Sequence, residues 1–516
     1  MLFNSYGFIF AYLPIVLIGF FVVGRWHALA AAAWLAAASL IFYSWWNWHF
    51  TFVLMASVGI NYAVGVTMVR WQAAGQTAAI RWLLRCAVAA DLGALGYFKY
   101  ANFFVATVGQ LSPVPIEWQT VVLPIGISFF TFTQIAFLVD TARQKAGEVN
   151  FIHYLLFVTY FPHLIAGPIL HHGEMMPQFR QRATYLPRAD AIAIGLTMFI
   201  AGLFKKVVLA DSIAVYADKA FSPAASHTLT LIDGWGGALA YTLQIYFDFS
   251  AYCDMAIGVS RMFNIRLPAN FESPYQARSI IDFWRRWHMT LSRFLRDYLY
   301  IPLGGNRDGQ WARCRNLMVT MTLGGLWHGA GWTFVIWGML HGSFLMVNHG
   351  WQRLRSRLGW NGGAVSGFAG WLLTFLAVVV AWVFFRAPDL GTAVAVLRAM
   401  AGLQGVVMPV PWEHGLPGPA LSLLAHAGVT FGNLAAFAGG KELAWLGGLL
   451  AVALFLPNLR QIMAGEVPMT AVGSTPGAPA GLRWRPHPLA AMASFAMFLV
   501  ALDRMTNVSQ FLYFQF

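Results

Sequence analysis

Residues 317–347 contain no Lys, Arg, Asp or Glu. Such a run is long enough to cross a hydrocarbon core, which takes about 20 apolar residues. In lipid its backbone N–H and C=O groups have to be satisfied within the protein. Its middle reads Thr322-Leu-Gly-Gly-Leu-Trp-His-Gly-Ala-Gly-Trp332, which places one titratable imidazole, His328, among glycines at membrane depth. Ionisable groups at such positions face a protein interior or a water-filled cavity and by default point to function. The alternative is a neutral histidine hydrogen-bonded within a helix bundle.

Composition extends this reading to the whole chain. Its 516 residues are 59% hydrophobic and only 10% charged, where a soluble domain carries about a quarter charged residues. The net charge of +13 comes from short basic clusters that interrupt apolar runs. That distribution fits cytoplasmic loops and excludes a nucleic-acid-binding face. Cys86, Cys253 and Cys314 are far apart, with no CxxC spacing, so neither a disulfide framework nor a zinc finger follows.

The apolar run 7–23 follows no basic region and precedes Arg25. It is read as a first transmembrane helix rather than a signal peptide. Further spans are expected at 28–46, 50–69, 121–139, 191–215, 235–259, 368–385, 443–456 and 489–502, with Trp45-Trp-Asn-Trp48 at an interface. Residues 151–170 are apolar but interrupted by Pro162, His163, Gly167 and Pro168. This predicts a broken or re-entrant element covered by protein. Residues 261–315 are the most polar part, with Arg278, Arg285, Arg286, Arg293, Arg296, Arg307 and Arg313. They read as a cytoplasmic layer of short amphipathic helices, in which Asp282 with Arg286 and Arg293 with Asp297 have pairing distance on a helix face. Lys205-Lys206 reads as a membrane edge or a snorkelling pair. Asp248 reads as a tunnel-wall or helix-pairing residue, and residues 400–440, free of Lys and Arg, as extracytoplasmic.

Soluble-enzyme signatures are missing: no GxxxxGK[ST] loop, no HExxH and no GxSxG elbow. The adjacent His171 and His172 would point about 100° apart on a helix, so no metal site is expected. What remains is His328, the basic layer, and His288 within Phe283-Trp-Arg-Arg-Trp-His-Met-Thr290. A neutral imidazole can take the proton from an attacking hydroxyl. Cytoplasmic arginines, Arg285 and Arg286 foremost, can hold the phosphates of a nucleotide-type acyl donor. Trp327 would line the donor's path beside His328. These parts fit acyl transfer. They also fit a broken-helix transporter or a polysaccharide export subunit without acyltransferase chemistry, although the inverted repeats of many transporters are not visible.

Long motifs favour the first reading. Phe3-Asn-Ser-Tyr-Gly-Phe-Ile-Phe10, Phe161-Pro-His-Leu-Ile-Ala-Gly-Pro168, Met175-Met-Pro-Gln-Phe179 and Tyr246-Phe-Asp-Phe-Ser-Ala-Tyr-Cys-Asp-Met-Ala-Ile-Gly258 are joined by Asn270-Phe-Glu-Ser-Pro-Tyr275, Asp282-Phe-Trp-Arg-Arg-Trp-His-Met-Thr-Leu-Ser292, Leu295-Arg-Asp-Tyr-Leu-Tyr-Ile-Pro-Leu-Gly-Gly-Asn-Arg307 and Gly324-Gly-Leu-Trp-His-Gly-Ala-Gly331. On these, nearly the whole chain resembles the membrane-bound O-acyltransferases, in the branch of alginate O-acetyltransferases that serve bacterial exopolysaccharide. The resemblance implies an all-α polytopic membrane protein, a single domain over 1–516 of roughly 11–13 membrane helices with re-entrant elements around a central tunnel. Within it, 1–150 would supply N-terminal helices, 151–350 the catalytic core, and 351–516 C-terminal helices and an aromatic tail.

By position His328 matches the family's catalytic histidine and His288 its second, cytoplasmic-side site residue. The implied donor is acetyl-CoA from the cytoplasm, a substrate and not a bound cofactor. The acyl group would pass across a bacterial inner membrane to a periplasmic or membrane-anchored partner that acetylates the polysaccharide. The ending Gln510-Phe-Leu-Tyr-Phe-Gln-Phe516 resembles an acyl-relay motif, which implies Tyr513 as carrier with His328 as its base. An interfacial aromatic anchor is the alternative for that tail.

Overall fold

The computed structural model describes residues 1–114, 116–144, 150–222, 229–360, 362–437, 439–464, 479–505, 509 and 511–512. Helix dominates. Among the described residues four helical stretches are long and apolar enough to cross a membrane: Gly7–Trp26, Trp48–Ala73, Ala189–Ala220 and Ala364–Arg386. Shorter apolar helices occupy Ala28–Ser44, Ile127–Ala142 and Leu390–Met400. The expected spans recur as helices with shifted ends, because an apolar run marks what lipid tolerates while caps and turns set where a helix stops. Those at 235–259, 443–456 and 489–502 are helical but not among the stretches just named. The expected span at 121–139 starts late, for example. Gly126 takes a left-handed φ of 73° and the helix begins only at Ile127.

The chain forms two compact units. The first comprises 1–204, 251–270 and the described residues from 459 to 512. Its opening helices Leu13–Trp26 and Ala28–Ser44 turn at His27, whose extended backbone (φ −142°) breaks the helix and whose Nδ1 accepts from the Ala30 N–H. Tyr12 closes the pair by donating to the Ala38 carbonyl at 2.8 Å.

The interrupted segment 151–170 is broken as its prolines predict. Phe151–Thr159 and Phe161–Leu164 are separate short helices with the bend at Tyr160 (ψ 109°). From His153 to Leu170 every residue is buried. The backbone freed at the break is satisfied by protein: the Phe161 N–H donates to Ser39 Oγ at 3.1 Å, and His163 Nε2 donates to the Phe157 carbonyl at 2.9 Å. This is the condition under which irregular backbone survives at membrane depth.

The second unit comprises 205–250 and 271–458, and it holds both site histidines. Its one sheet among the described residues is a parallel pair, Val406–Pro409 beside Val429–Gly432, with Val406 opposite Val429. No strand was expected in that Pro- and Gly-rich stretch. The segment is fixed by the Asp233 carboxylate, which accepts from the Ala436 N–H at 2.9 Å, and by Trp235, which donates to the Met400 carbonyl at 2.9 Å.

Lys206 corrects the sequence reading. It neither marks an edge nor snorkels: it is 2% exposed, with Nζ 2.6 Å from Asp248 Oδ1 and 2.9 Å from Asp211 Oδ1. An ammonium without water needs carboxylates at contact distance, and two supply them. Asp248 is accordingly a helix-pairing residue, joining Leu231–Met262 to the π-helical turn Lys205–Ala210.

Helices Gly309–His328 and Trp332–Arg357 form a hairpin through three connecting residues. Small residues let them touch. A Cβ on Gly338 would meet the Met321 carbonyl oxygen and lie 2.9 Å from Thr322 Cα, and one on Gly325 would meet the Phe334 carbonyl oxygen. Gly338→Ala is therefore expected to cost about 1–3 kcal/mol through overpacking and to displace the helix that ends at His328. Gly350→Ala, on the same helix with open space around it, should match wild type in melting temperature. Equal behaviour of the two variants would refute the close crossing.

Candidate active site

His288 and His328 meet at a ring-centroid distance of 6.2 Å. His288 is 0% and His328 3% exposed. His328 is the last residue of the Gly309–His328 helix, after which Gly329 turns to extended backbone. Its ring is walled by Trp327 at 4.9 Å, Trp337 at 5.2 Å and Phe385 at 5.2 Å.

His288 stands at the joint between helices Ile280–Arg286 and Met289–Leu295, with φ 43° and ψ 54°. A non-glycine residue in the left-handed region costs energy and persists where its surroundings over-determine it. They do so here. Ser279 Oγ caps the first helix through the Asp282 N–H, and the His288 carbonyl opens the second by accepting from the Ser292 N–H. Trp287, next in the chain, is fixed against Trp382 at 4.9 Å. The His288 ring lies edge-on to Phe249 at 4.8 Å. Burial pushes its pKa from 6.5 down to about 3, so the imidazole is neutral at physiological pH.

A third histidine joins them that the sequence reading passed over. His341, fully buried on the Trp332–Arg357 helix, accepts at Nδ1 from Trp284 Nε1 at 3.3 Å, which leaves its proton on Nε2. Its ring is 4.7 Å from Trp337. The His341 Nε2 and Trp337 Nε1 atoms are buried and have no hydrogen-bond partner among the described residues. Unmet donors of this kind are costly, and they suit a ligand carbonyl oxygen. The signal was available: His341 lies in the same uncharged run as His328, directly before Gly342.

The other expected site residues divide. Trp327 is buried against both site histidines, 6.2 Å from His288. Arg285 is exposed on the Ile280–Arg286 helix. Arg286 pairs with Asp282 at 2.9 Å, the i,i+4 pair that the spacing predicts, while Asp297 takes its neighbour Arg296 at 2.7 Å. Tyr513 lies outside the described residues. Among the described residues no group of His, Cys, Asp or Glu is arranged to hold a metal ion.

Comparison with known proteins places this geometry in a context. Residues 116–385, which contain His288, His328 and His341, match the membrane-bound O-acyltransferase family. A peptidoglycan O-acetyltransferase from Helicobacter pylori is 44% identical over 79% of this chain and 81% of its own length. A probable alginate O-acetylase from Pseudomonas aeruginosa is 43% identical over 78% of this chain and 75% of its own length. A teichoic acid D-alanyltransferase from Bacillus subtilis is 27% identical over 46% of this chain and 61% of its own length.

Proposed function

We propose that this chain, which belongs to the membrane-bound O-acyltransferase family and is a membrane-embedded acyltransferase, carries acetyl groups from cytoplasmic acetyl-CoA across a bacterial inner membrane for O-acetylation of an envelope or secreted glycan. Family membership sets aside the transporter and export-subunit alternative. The observation that carries the finer reading is the buried pair His288 and His328, two imidazoles 6.2 Å apart inside an aromatic wall. Relatives that act on glycans in name, one on peptidoglycan and one on alginate, support the acceptor class.

The chemistry balances with these parts. A hydroxyl oxygen attacks the thioester carbonyl carbon while His328 takes the hydroxyl proton. The C–O bond forms, the C–S bond breaks, and the leaving thiolate recovers the proton from His328. Helix C-termini carry partial negative charge, so the end of Gly309–His328 suits the cation that His328 becomes in mid-reaction. The buried N–H groups of His341 and Trp337 supply donors of the kind that hold a thioester oxygen. His288, kept neutral, positions the acceptor hydroxyl. Tyr513 is the proposed first acceptor, and its phenol, with a pKa near 10, attacks only with a base beside it. A periplasmic or membrane-anchored partner then moves the acetyl group to the sugar.

The test is made in cells. Deletion of the gene should reduce alkali-labile acetate to background on one glycan, exopolysaccharide or peptidoglycan. Wild type should restore it and His328→Gln should not. Unchanged acetate on both glycans would contradict the reading.

A further inference from the structure

The end of the Trp332–Arg357 helix and the start of the Gly309–His328 helix line an open surface cavity of about 490 Å³, formed by Arg313, His349 and Arg353 with the exposed Gln352, Ser356 and Arg357. His349, Arg353 and Arg357 follow at four-residue spacing and so share one helix face. Three guanidiniums therefore line one space. Among the described residues none of the three pairs with a carboxylate, whereas Arg286, Arg296 and Arg386 each do. Arg313 Nη2 lies 2.7 Å from His349 Nδ1, and Arg313 Nε is buried with no hydrogen-bond partner among the described residues. Burial, and then the Arg313 charge, hold the His349 pKa below its ordinary value, so this ring stays neutral beside Arg313.

Ordinary causes explain part of this cluster. Arg353 and Arg357 lie near a helix C-terminus, which favours cations, and basic residues gather on the cytoplasmic side. Arg313 is not accounted for by the dipole. It is the fifth residue of its helix, near the end where the helix dipole opposes positive charge. Arg353 and Arg357 also repel each other at their spacing. The fold thus assembles cations without their anion, and planar guanidiniums are matched to phosphate oxygens.

We propose that this cavity seats the phosphate esters of the acyl donor's nucleotide, in place of the earlier expectation of Arg285 and Arg286. The proposal rests on acetyl-CoA as donor. Arg313 and His328 stand on one helix, fifteen residues or about 22 Å apart. An extended pantetheine arm with its pyrophosphate bridges a separation of that order, which puts the thioester at the histidine when the phosphates are held at the arginines. Phosphate headgroups of anionic lipid share the same chemistry, so the experiment has to separate the two sources.

The measurement is kcat/KM of the purified full-length chain for acetyl-CoA and for acetyl-pantetheine, which lacks the nucleotide phosphates. It is made in nanodiscs of phosphatidylcholine with and without phosphatidylglycerol. Wild type should prefer acetyl-CoA, and the preference should shrink by about tenfold for each of Arg313→Gln, Arg353→Gln and Arg357→Gln. The single Arg353→Gln variant gives the partial drop if the triple variant does not fold. A triple variant that keeps the wild-type preference overturns the proposal. So does a variant whose only change is a lost response to phosphatidylglycerol, which would give the cavity to lipid. If wild type turns over neither thioester, the donor reading has failed separately, and equilibrium dialysis with labelled CoA decides the seat. Binding lost in the triple variant supports it, and equal binding overturns it.

Discussion

His328→Gln should lower acyl transfer by about 10²–10⁴-fold, the contribution expected of a positioned general base, while the protein still inserts and melts near the wild-type temperature. Glutamine keeps hydrogen-bonding capacity and most of the volume between Trp327, Trp337 and Phe385, but it takes up no proton near neutral pH. His328→Ala should lose at least as much activity and also some stability, because it opens a cavity among those rings. The pair separates chemistry from packing. If Gln restored the rate lost in Ala, His328 would be a wall residue and the base would have to be sought elsewhere.

The largest stability effect is expected at Lys206. Lys206→Met leaves Asp248 buried without its cation and Asp211 without its contact, and breaking a buried pair from one side costs about 3–5 kcal/mol. A double variant, Lys206→Met with Asp248→Leu, should recover most of that loss, because apolar groups of similar size often replace a buried pair at little cost. Thermal unfolding in detergent, followed by tryptophan fluorescence, measures both. A Lys206→Met protein that melts with wild type would mean the two carboxylates are satisfied without the lysine.

These two residues also show what was legible in the sequence. His328 announced itself because an imidazole in an uncharged run has few harmless explanations. His288 stood out within the basic layer and took its role from motif resemblance, and its unusual backbone was invisible until the joint between two short helices was seen. The broken element at 151–170 was readable from Pro162, Gly167 and Pro168, whose effect on a helix is local. Lys206 was misread because its partner Asp248 lies on another helix, and spacing along one helix says nothing about pairs between helices. The strands Val406–Pro409 and Val429–Gly432 are four residues each, too short for a period to register. Arg313 read as one more charge of the cytoplasmic layer, with nothing to link it to Arg353 and Arg357 further along the chain. Only the antiparallel hairpin gathers them around a single cavity.

The most direct measurement uses purified protein and acetyl-CoA labelled in the acetyl group, comparing wild type, His328→Gln and Tyr513→Phe. Wild type should free CoA and retain label covalently, His328→Gln should do neither, and Tyr513→Phe should retain no label. Release of CoA by His328→Gln at the wild-type rate, with label transferred as before, would contradict a histidine-driven acyl transfer at this site.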